Sequence, residues 1–587
     1  MSANGNGTGF DKGNGNGAGD VKGKRIVLCA SDSESSEYLK STWRQMLLAT
    51  LPARYARAMG TDISFQNEIW PDGQAKYVPH GLRIIESLLL SKFPADDVVV
   101  TYPGQMHQFI GSATRVVGIH AHNPLGITFA TDIYAHFYGA QEDPVNAAEF
   151  KRMILHPVIR RHKSHLKVIV GGPGSWQLEK AGVQDEWLVD TIVEGEAEEV
   201  VLDLFEKADR GEPLPRKVSV EHSPAITSIP RIHHRSTFGV VEITRGCGRG
   251  CQFCSVALRG GKSIPLPQIL DNVRAQVAEG ADTILFTTED LFLYEQGPKF
   301  DTNVPALKQL FQSVTDVPGV KHVMLTHGTI SPVVRDPWLL DELSPLAVGK
   351  SVNQHPDSTH AENRYANLFI GLETGSIRMF KHFMKGKCYP FRPEQWPDVV
   401  LKGMDLLNRY NWFPFCTFIL GLPGETDQDT KESLDLLFAL KDAKWCVIPT
   451  LFVPFEETRL GQKEGASIFK LTDLQWEFFF TCWRYNIDFF RREPKVQWKF
   501  NLGIPFYYYM LGRKMFGEGM KYPLYRLAHF PERLLRRKLY LDFSGRMKPR
   551  YSLPEHVEVP AERLRPALPS LVTLGGPAPA AAPAPAD

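Results

Sequence analysis

"TRGCGRGCQFCSVA", Thr244–Ala257, holds three of the chain's eight cysteines: Cys247, Cys251 and Cys254. The spacing is Cys-x3-Cys-x2-Cys, in a loop otherwise rich in glycine and arginine. Thiolates this close repel one another unless a cation or a metal cluster neutralises them. Gly246, Gly248 and Gly250 let the backbone fold tightly around such a group. The preceding run "VVEIT" reads as a strand, so the loop opens at a strand's carboxyl end, where barrel active sites lie. A structural zinc takes four protein ligands, and no fourth Cys or His lies at finger spacing. Three thiolates suit a [4Fe–4S] cluster that keeps one iron open, with Arg245 and Arg249 offsetting its negative charge. A catalytic zinc on three cysteines and a chance clustering of buried cysteines are the other readings.

Outward from this loop the pattern alternates. "PLPQILDNVRAQVAEG" reads as an amphipathic helix with Pro near its start. "DTILFTTED", "KHVMLTH", "LFIGLETG", "FPFCTFILGLPG" and "CVIPTLFVP" read as strands, several separated by helical segments such as "EQWPDVVLKGMDLLNRY". Six strands with crossovers fit an α/β barrel or a partial one. Upstream, "KRIVLCAS", "DDVVVTYPG", "TRVVGIHAHNPLG", "LKVIVGGPGSW" and "VDTIVEGEAEEVV" read as buried strands ending in turns. Buried strands alternating with helices predict a parallel, doubly wound sheet. Ligands sit at the carboxyl ends of such strands, so Gly118–Gly126, Gly171–Trp176 and Glu194–Glu196 are expected to line one crevice.

The bulk numbers constrain the rest. At 587 residues the chain is too long for one core. It is 43% hydrophobic and 23% charged, with formal net charge +1, which gives no global case for nucleic-acid binding. There is no apolar run of about 18 residues and no signal-peptide core, so a cytoplasmic location is expected. Eight cysteines do not make a disulfide scaffold in a chain of this size. Cys29, Cys416 and Cys446 fall in strand-like runs and read as buried small hydrophobes. Asp290 and His327 fall at strand ends, where they would line the pocket; hydrogen bonding to neighbouring loops is the other reading and the preferred one for His327.

The cysteine stretch resembles the signature of radical S-adenosylmethionine (SAM) enzymes, with Phe253 at the aromatic position before the third cysteine. "FTTED" resembles the segment that holds the amino group of SAM's methionine moiety, which implies a contact from Glu289, although the sequence departs from Gly-Gly-Glu. "FIGLETGS" resembles a segment whose glutamate, here Glu373, faces the SAM site. "FILGLPGET" and "MKG" (Met384–Gly386) fit the same pattern, so the resemblance spans roughly Val240–Val453. It implies a cluster on Cys247, Cys251 and Cys254, bound SAM, radical removal of hydrogen from an unactivated C–H, and an electron donor such as flavodoxin or ferredoxin.

The upstream domain resembles the cobalamin-binding domain of one radical SAM class. "VVGIHAHNPLG", "VIVGGPGSW" and "VEGEAEEVV" carry this resemblance, in that order. It implies cofactor contacts at Gly118, Gly171, Gly172, Ser175, Glu194, Gly195 and Glu196. The Asp-x-His-x-x-Gly motif that supplies a lower cobalt ligand in many such domains is absent. His120 and His122 read as polar groups at a turn, with cobalt ligation as the alternative. A domain that packs on the barrel without a cofactor is the other reading.

The expected fold is α/β. A Rossmann-like cobalamin-binding domain (25–225) precedes a partial (β/α)6 TIM-type radical SAM barrel (226–460) and a helical C-terminal cap (461–550). Disordered ends are expected at 1–24 and 551–587. The expected activity is a cobalamin-dependent C-methyltransferase. A radical SAM cyclase or rearrangement enzyme and a non-catalytic cluster- or cobalamin-binding sensor are the alternatives. Methylthiolation is disfavoured, because the enzymes that perform it carry another cysteine trio upstream and only Cys29 precedes Cys247 here. The substrate class is a small molecule or lipid, a tetrapyrrole, or a peptide or antibiotic precursor. The aromatic C-terminal region tilts this toward a hydrophobic one, and a peripheral membrane contact through that region is the alternative to a packed cap.

Overall fold

The computed structural model describes residues 21–37, 67–128, 143–353, 364–455, 458–467 and 470–491, with Ala53 and Thr131. The chain start up to residue 20, residues 492–550 of the expected cap and the Pro/Ala-rich tail lie outside the described residues.

The upstream domain is built on six strands: β1 (Ile26–Cys29), β2 (Val98–Thr101), β3 (Val116–His120), β4 (Lys167–Gly171), β5 (Thr191–Glu194) and β6 (Lys217–Ser219). They form one sheet in the order β2-β1-β3-β4-β5-β6, and every pairing is parallel. The unbroken apolar runs follow from burial of both faces. Successive side chains alternate between two cores. Val27, Val117 and Val168 go to one, and Ile26, Leu28 and Ile169 to the other. The chain runs from β1 to one side for β2, then returns to the other side for β3. This places a topological switch point between β1 and β3, where a crevice opens at the strands' carboxyl ends.

The downstream domain holds β7 (Val240–Glu242), β8 (Thr244–Arg245), β9 (Lys262–Ser263), β10 (Thr283–Thr287), β11 (His322–Leu325), β12 (Ala366–Glu373), β13 (Trp412–Leu420) and β14 (Cys446–Leu451). Two parallel three-stranded sheets, β7-β10-β11 and β12-β13-β14, are joined by a parallel bridge between His327 and Phe369. These six parallel strands therefore run in chain order around an incomplete barrel. Helices including Leu266–Ala278, Trp396–Arg409 and Asp427–Ala439 form the crossovers. Glu373, at the end of β12, has a left-handed backbone with φ 67°.

Three short strands were not expected from the sequence. β6 extends the first sheet, and β8 pairs antiparallel with β9 across the neck of the cysteine loop. The helix His80–Leu90 belongs to both domains. Its Leu82 and Leu89 sit in the upstream core, while Ile84 sits in the barrel core. Of the expected C-terminal helical region, Asp473–Arg491 is described as one helix. Its Asn486 accepts from the amide of Val447 at 2.9 Å and donates to the same residue's carbonyl at 2.6 Å, satisfying β14 at the sheet's open edge.

Candidate functional site

The cysteine loop is a closed excursion from the barrel's carboxyl-end face. Thr244 and Arg245 pair with Ser263 and Lys262 at its neck. Gly246, Gly248 and Gly250 all have φ of 75–76°, the region that favours glycine. A side chain at Gly246 would meet the carbonyl of Gly260 at 2.7 Å. The amide of Cys247 is shared between the carbonyls of Val256 and Arg259, both at 3.1 Å. A second segment clamps the loop from outside: Gln252 donates its amide to the Phe383 carbonyl at 2.9 Å and its side chain to the His382 carbonyl at 2.6 Å.

All three cysteines are free thiols. Burial pushes Cys247 up to about 12 and Cys251 up to about 11, and raises Cys254 as well. Metal binding would replace their protons. Among the described residues no three His, Cys, Asp or Glu side chains close on a single ion. The three-thiol donor set of the trio fits an iron–sulfur cluster.

Two buried cations flank the trio, and only one of them matches the sequence expectation. Arg249 donates from Nε (3.0 Å) and Nη2 (2.9 Å) to one carboxylate oxygen of Asp290, with both side chains almost wholly buried. It also lowers the pKa of Cys247 and Cys251. Arg245, by contrast, is turned away. Its Nε and Nη2 each lie 2.7 Å from a Glu242 oxygen, and its Nη1 reaches Glu198 at 2.6 Å and Glu196 at 3.3 Å. The second cation is Lys387, whose ammonium donates to Glu373 Oε1 at 2.6 Å and favours ionisation of Cys251 and Cys254. Thr417 donates to the other Glu373 oxygen at 3.1 Å. Lys387 was not legible in the sequence. It lies one residue past "MKG" and reaches the trio only through the fold.

A cavity of about 1010 Å³ lies between the carboxyl ends of the two domains' strands. Gly118, Gly171, Gly172, Ser175, Glu194, Gly195 and Glu196 line it from the upstream side, and Glu289 from the barrel. Ser255 and Val256 of the cysteine loop form part of its wall. Phe253 packs against the barrel core, and Glu373 lies with Lys387 beside the trio; neither lines the cavity. A side chain at Gly171 would have no neighbour closer than 3.7 Å, so this position leaves room. At Gly118 it would strike Leu28 and Phe205, so that glycine serves packing as well. The Ser175 hydroxyl donates to the Val193 carbonyl at 2.7 Å. Leu28, Ile169, Val193 and Phe205 add apolar lining on the upstream side, and Phe369, Phe415 and Ile448 on the barrel side.

Several polar groups on this wall escape sequence reading because their partners are distant in the chain. Burial, helped by Glu242, pushes the Glu289 carboxyl up to about 8, and its Oε2 has no hydrogen-bond partner. Glu34 accepts from the His122 amide and pairs with His120 Nδ1, both at 2.9 Å. His80 lines the cavity with both ring nitrogens unpartnered, and burial holds its pKa down to about 4. His327 is on the cavity wall beside Phe369, ring centroids 5.7 Å apart, and its ring also bonds to the Thr288 backbone, so the loop-bonding reading holds as well. Asp290 is not on the cavity wall: it is a loop-bonding group that accepts from Arg249 and from the amides of Phe292 and Thr329.

Residues 241–437 match the model of the Radical SAM superfamily. They form a radical SAM domain. It contains the cysteine loop, the end of β10 and the Glu373–Lys387 pair. The threonylcarbamoyladenosine tRNA methylthiotransferase of Xenopus laevis is 24% identical over 390 residues, covering 61% of each chain. The Homo sapiens protein of the same name is 26% identical over 285 residues, 46% of this chain and 41% of its own. A ribosomal protein uS12 methylthiotransferase RimO of Pseudomonas syringae is 24% identical over 235 residues, 38% of this chain and 46% of its own. The chain thus spans about two-fifths to three-fifths of the length of these curated relatives. Among solved structures, the radical S-adenosylmethionine methyltransferase TsrM of Kitasatospora setae, with tryptophan substrate and a SAM analog bound, covers 75% of each chain at 15% identity and TM-score 0.49. No helix among the described residues is long and apolar enough to cross a membrane.

Proposed function

We propose that the chain is a cobalamin-dependent radical SAM enzyme that methylates an unactivated carbon of a hydrophobic substrate. The observation that carries this reading is the shared cavity. The ligand crevice of a doubly wound sheet and the mouth of a radical SAM barrel open into the same space, and the cysteine loop forms part of its wall. When bound, the cluster, SAM and cobalamin supply hydrogen removal and a transferable methyl group.

The chain's own residues have distinct tasks. Cys247, Cys251 and Cys254 hold the cluster, while Arg249 and Lys387 offset its charge. Glu289 and Glu373 are the candidate contacts for SAM. An ammonium brought to Glu289 would draw off its proton, because an adjacent cation favours the ionised form. The upstream strand ends, with Gly118, Gly171, Gly172 and Ser175, would hold the corrinoid. Phe369, Phe415 and Ile448 favour an apolar substrate and exclude water. A flavodoxin or ferredoxin supplies electrons.

The test is anaerobic purification from cobalamin-supplied cells, beside a variant with all three cysteines changed to Ala. About four irons and one cobalamin per chain are expected, with iron lost in the variant. SAM turnover should then yield both S-adenosylhomocysteine and 5′-deoxyadenosine. Iron without cobalamin would remove the case for methyl transfer. Methylthio groups appearing on added tRNA would place the chain with its curated relatives instead.

A further inference from the structure

We infer that the face around Tyr389 is the electron-entry surface of this chain, and that an acidic one-electron carrier protein docks there. The inference rests on the iron–sulfur reading of the thiol trio and is independent of the cobalamin reading.

A carrier protein is far too large for a cavity of about 1010 Å³, and electron transfer slows steeply with distance. The carrier must therefore approach the cysteine loop from its outer side. Two segments cover that side. In the first, the Phe383 and His382 carbonyls accept from Gln252, and Arg249 Nη1 reaches the Gly386 carbonyl at 3.5 Å. In the second, the ring of Phe300 lies over Arg249, 4.9 Å from the guanidinium carbon. Tyr389 of the first segment stands edge-on to Phe300, ring centroids 6.1 Å apart, and is 36% exposed. Tyr389, Phe300 and Arg249 thus form a continuous contact from solvent to the residue that sits between Cys247 and Cys251. None of the three lines the cavity. Of the five exposed large hydrophobic residues among those described, Leu258 and Tyr389 belong to the cysteine loop and to the segment that clamps it.

The second segment has a fixed shape. Lys299 and Phe300 both have left-handed backbones, with φ 58° and 62°. Strain of this kind persists where the surroundings over-determine it. Arg335 supplies that restraint, donating to the Phe300 carbonyl at 3.2 Å, to Asp301 at 3.0 Å and to Thr302 at 3.1 Å. The turn places Phe300 over Arg249 and leaves Lys299 exposed.

Charge points to the kind of partner. Lys385 and Arg392 lie within four residues of Tyr389, and Lys299 adjoins Phe300. All three are exposed, and none is held in an ion pair among the described residues. Two acids of the same segments are neutralised, Asp301 by Arg335 at 3.0 Å and Glu394 by Lys381 at 2.5 Å. Glu295 is left as the exposed, unpaired carboxylate. Three cations against one carboxylate make the face positive, which steers an acidic partner. Redox encounters need only a small interface, and an exposed tyrosine flanked by cations is a suitable centre for one. In the step itself the fully reduced flavin of the carrier gives up one electron and the oxidised cluster takes it. No bond forms or breaks and no proton moves.

The experiment mixes the full chain, its cluster reconstituted, with fully reduced flavodoxin in the absence of oxygen. Cluster reduction is followed by absorbance and electron paramagnetic resonance. In the unaltered protein the rate should fall severalfold as salt rises from about 20 to about 200 mM, because salt screens the steering charges. Lys299→Glu with Arg392→Glu should slow reduction at low salt by about tenfold and erase the salt dependence. Dithionite, a small reductant, should reduce both proteins to the same extent. Lys402→Glu with Lys441→Glu makes the same change in net charge on the helix Trp396–Arg409 and after the helix Asp427–Ala439, and should keep the original rate. A salt-independent rate in the unaltered protein, an unslowed Lys299/Arg392 variant, or an equal loss in the control would overturn the docking face. A cluster that does not form on the unaltered chain, or that dithionite does not reduce, would instead overturn the iron–sulfur reading.

Discussion

Single buried groups around the site are held in unusual states by their surroundings. The Glu289 carboxyl, ordinarily near 4.5, is raised to about 8 by burial and by Glu242. The folded chain therefore binds a proton that the unfolded chain releases. Its contribution to stability is present below pH 4.5 and is lost as pH rises through 8. Melting of the metal-free, SAM-free protein should show this as a decline between those values, at most about 1.4 kcal/mol per pH unit. Glu289→Gln should flatten it. An unchanged slope in the variant would mean that Glu289 is ionised. Asp290 is wholly enclosed with Arg249, Thr329 and two amides. Asp290→Ala strands a buried guanidinium beside Cys247, and a loss of about 3–5 kcal/mol is expected in denaturant midpoints. A loss below about 1 kcal/mol would show that Arg249 finds another partner.

At the scale of elements, the cysteine loop is shaped by contacts from outside as much as by its own glycines. The segment after the helix Ile377–Phe383 lies so close that a side chain at Gly386 would fall 2.0 Å from the Arg249 carbonyl, a backbone atom that cannot swing aside. Gly386→Ala should therefore displace the loop and cut the iron retained after reconstitution to less than half. Gly349→Ala, at a helix end with nothing within 4 Å, should leave iron content unchanged and serves as the control. Equal iron in both variants would show that the two segments separate freely.

At the scale of the whole molecule, the two domains are locked by charge at the rim of the cavity. Arg245 of the barrel reaches Glu196 and Glu198 of the upstream domain, and Arg259 reaches Glu196 at 2.6 Å. Arg245→Met leaves Glu198 and Glu242 facing each other with little compensation. The expected cost is about 3 kcal/mol, together with faster proteolysis in the connection 226–239 and lower corrinoid retention. An unchanged cleavage rate would show that the helix His80–Leu90, with its apolar side chains in both cores, holds the domains together unaided.

How much was legible in the residues varies with the range of the interaction. The long strands could be read because burial on both faces demands unbroken apolar runs, a local signal. The cysteine trio could be read because its members are neighbours in the chain, and the crevice-lining glycines because they lie within those strands or just after them. The two- and three-residue strands β6, β8 and β9 carry no such pattern, since partners far along the chain define them. The exchange of Arg245 for Lys387 beside the thiols, the Glu34–His120 pair and the orphaned His80 imidazole were invisible for the same reason. Each depends on which groups meet across a gap between elements. Chemical type follows from local composition, but charge balance and free valence follow from distance in space, and folding alone sets that distance.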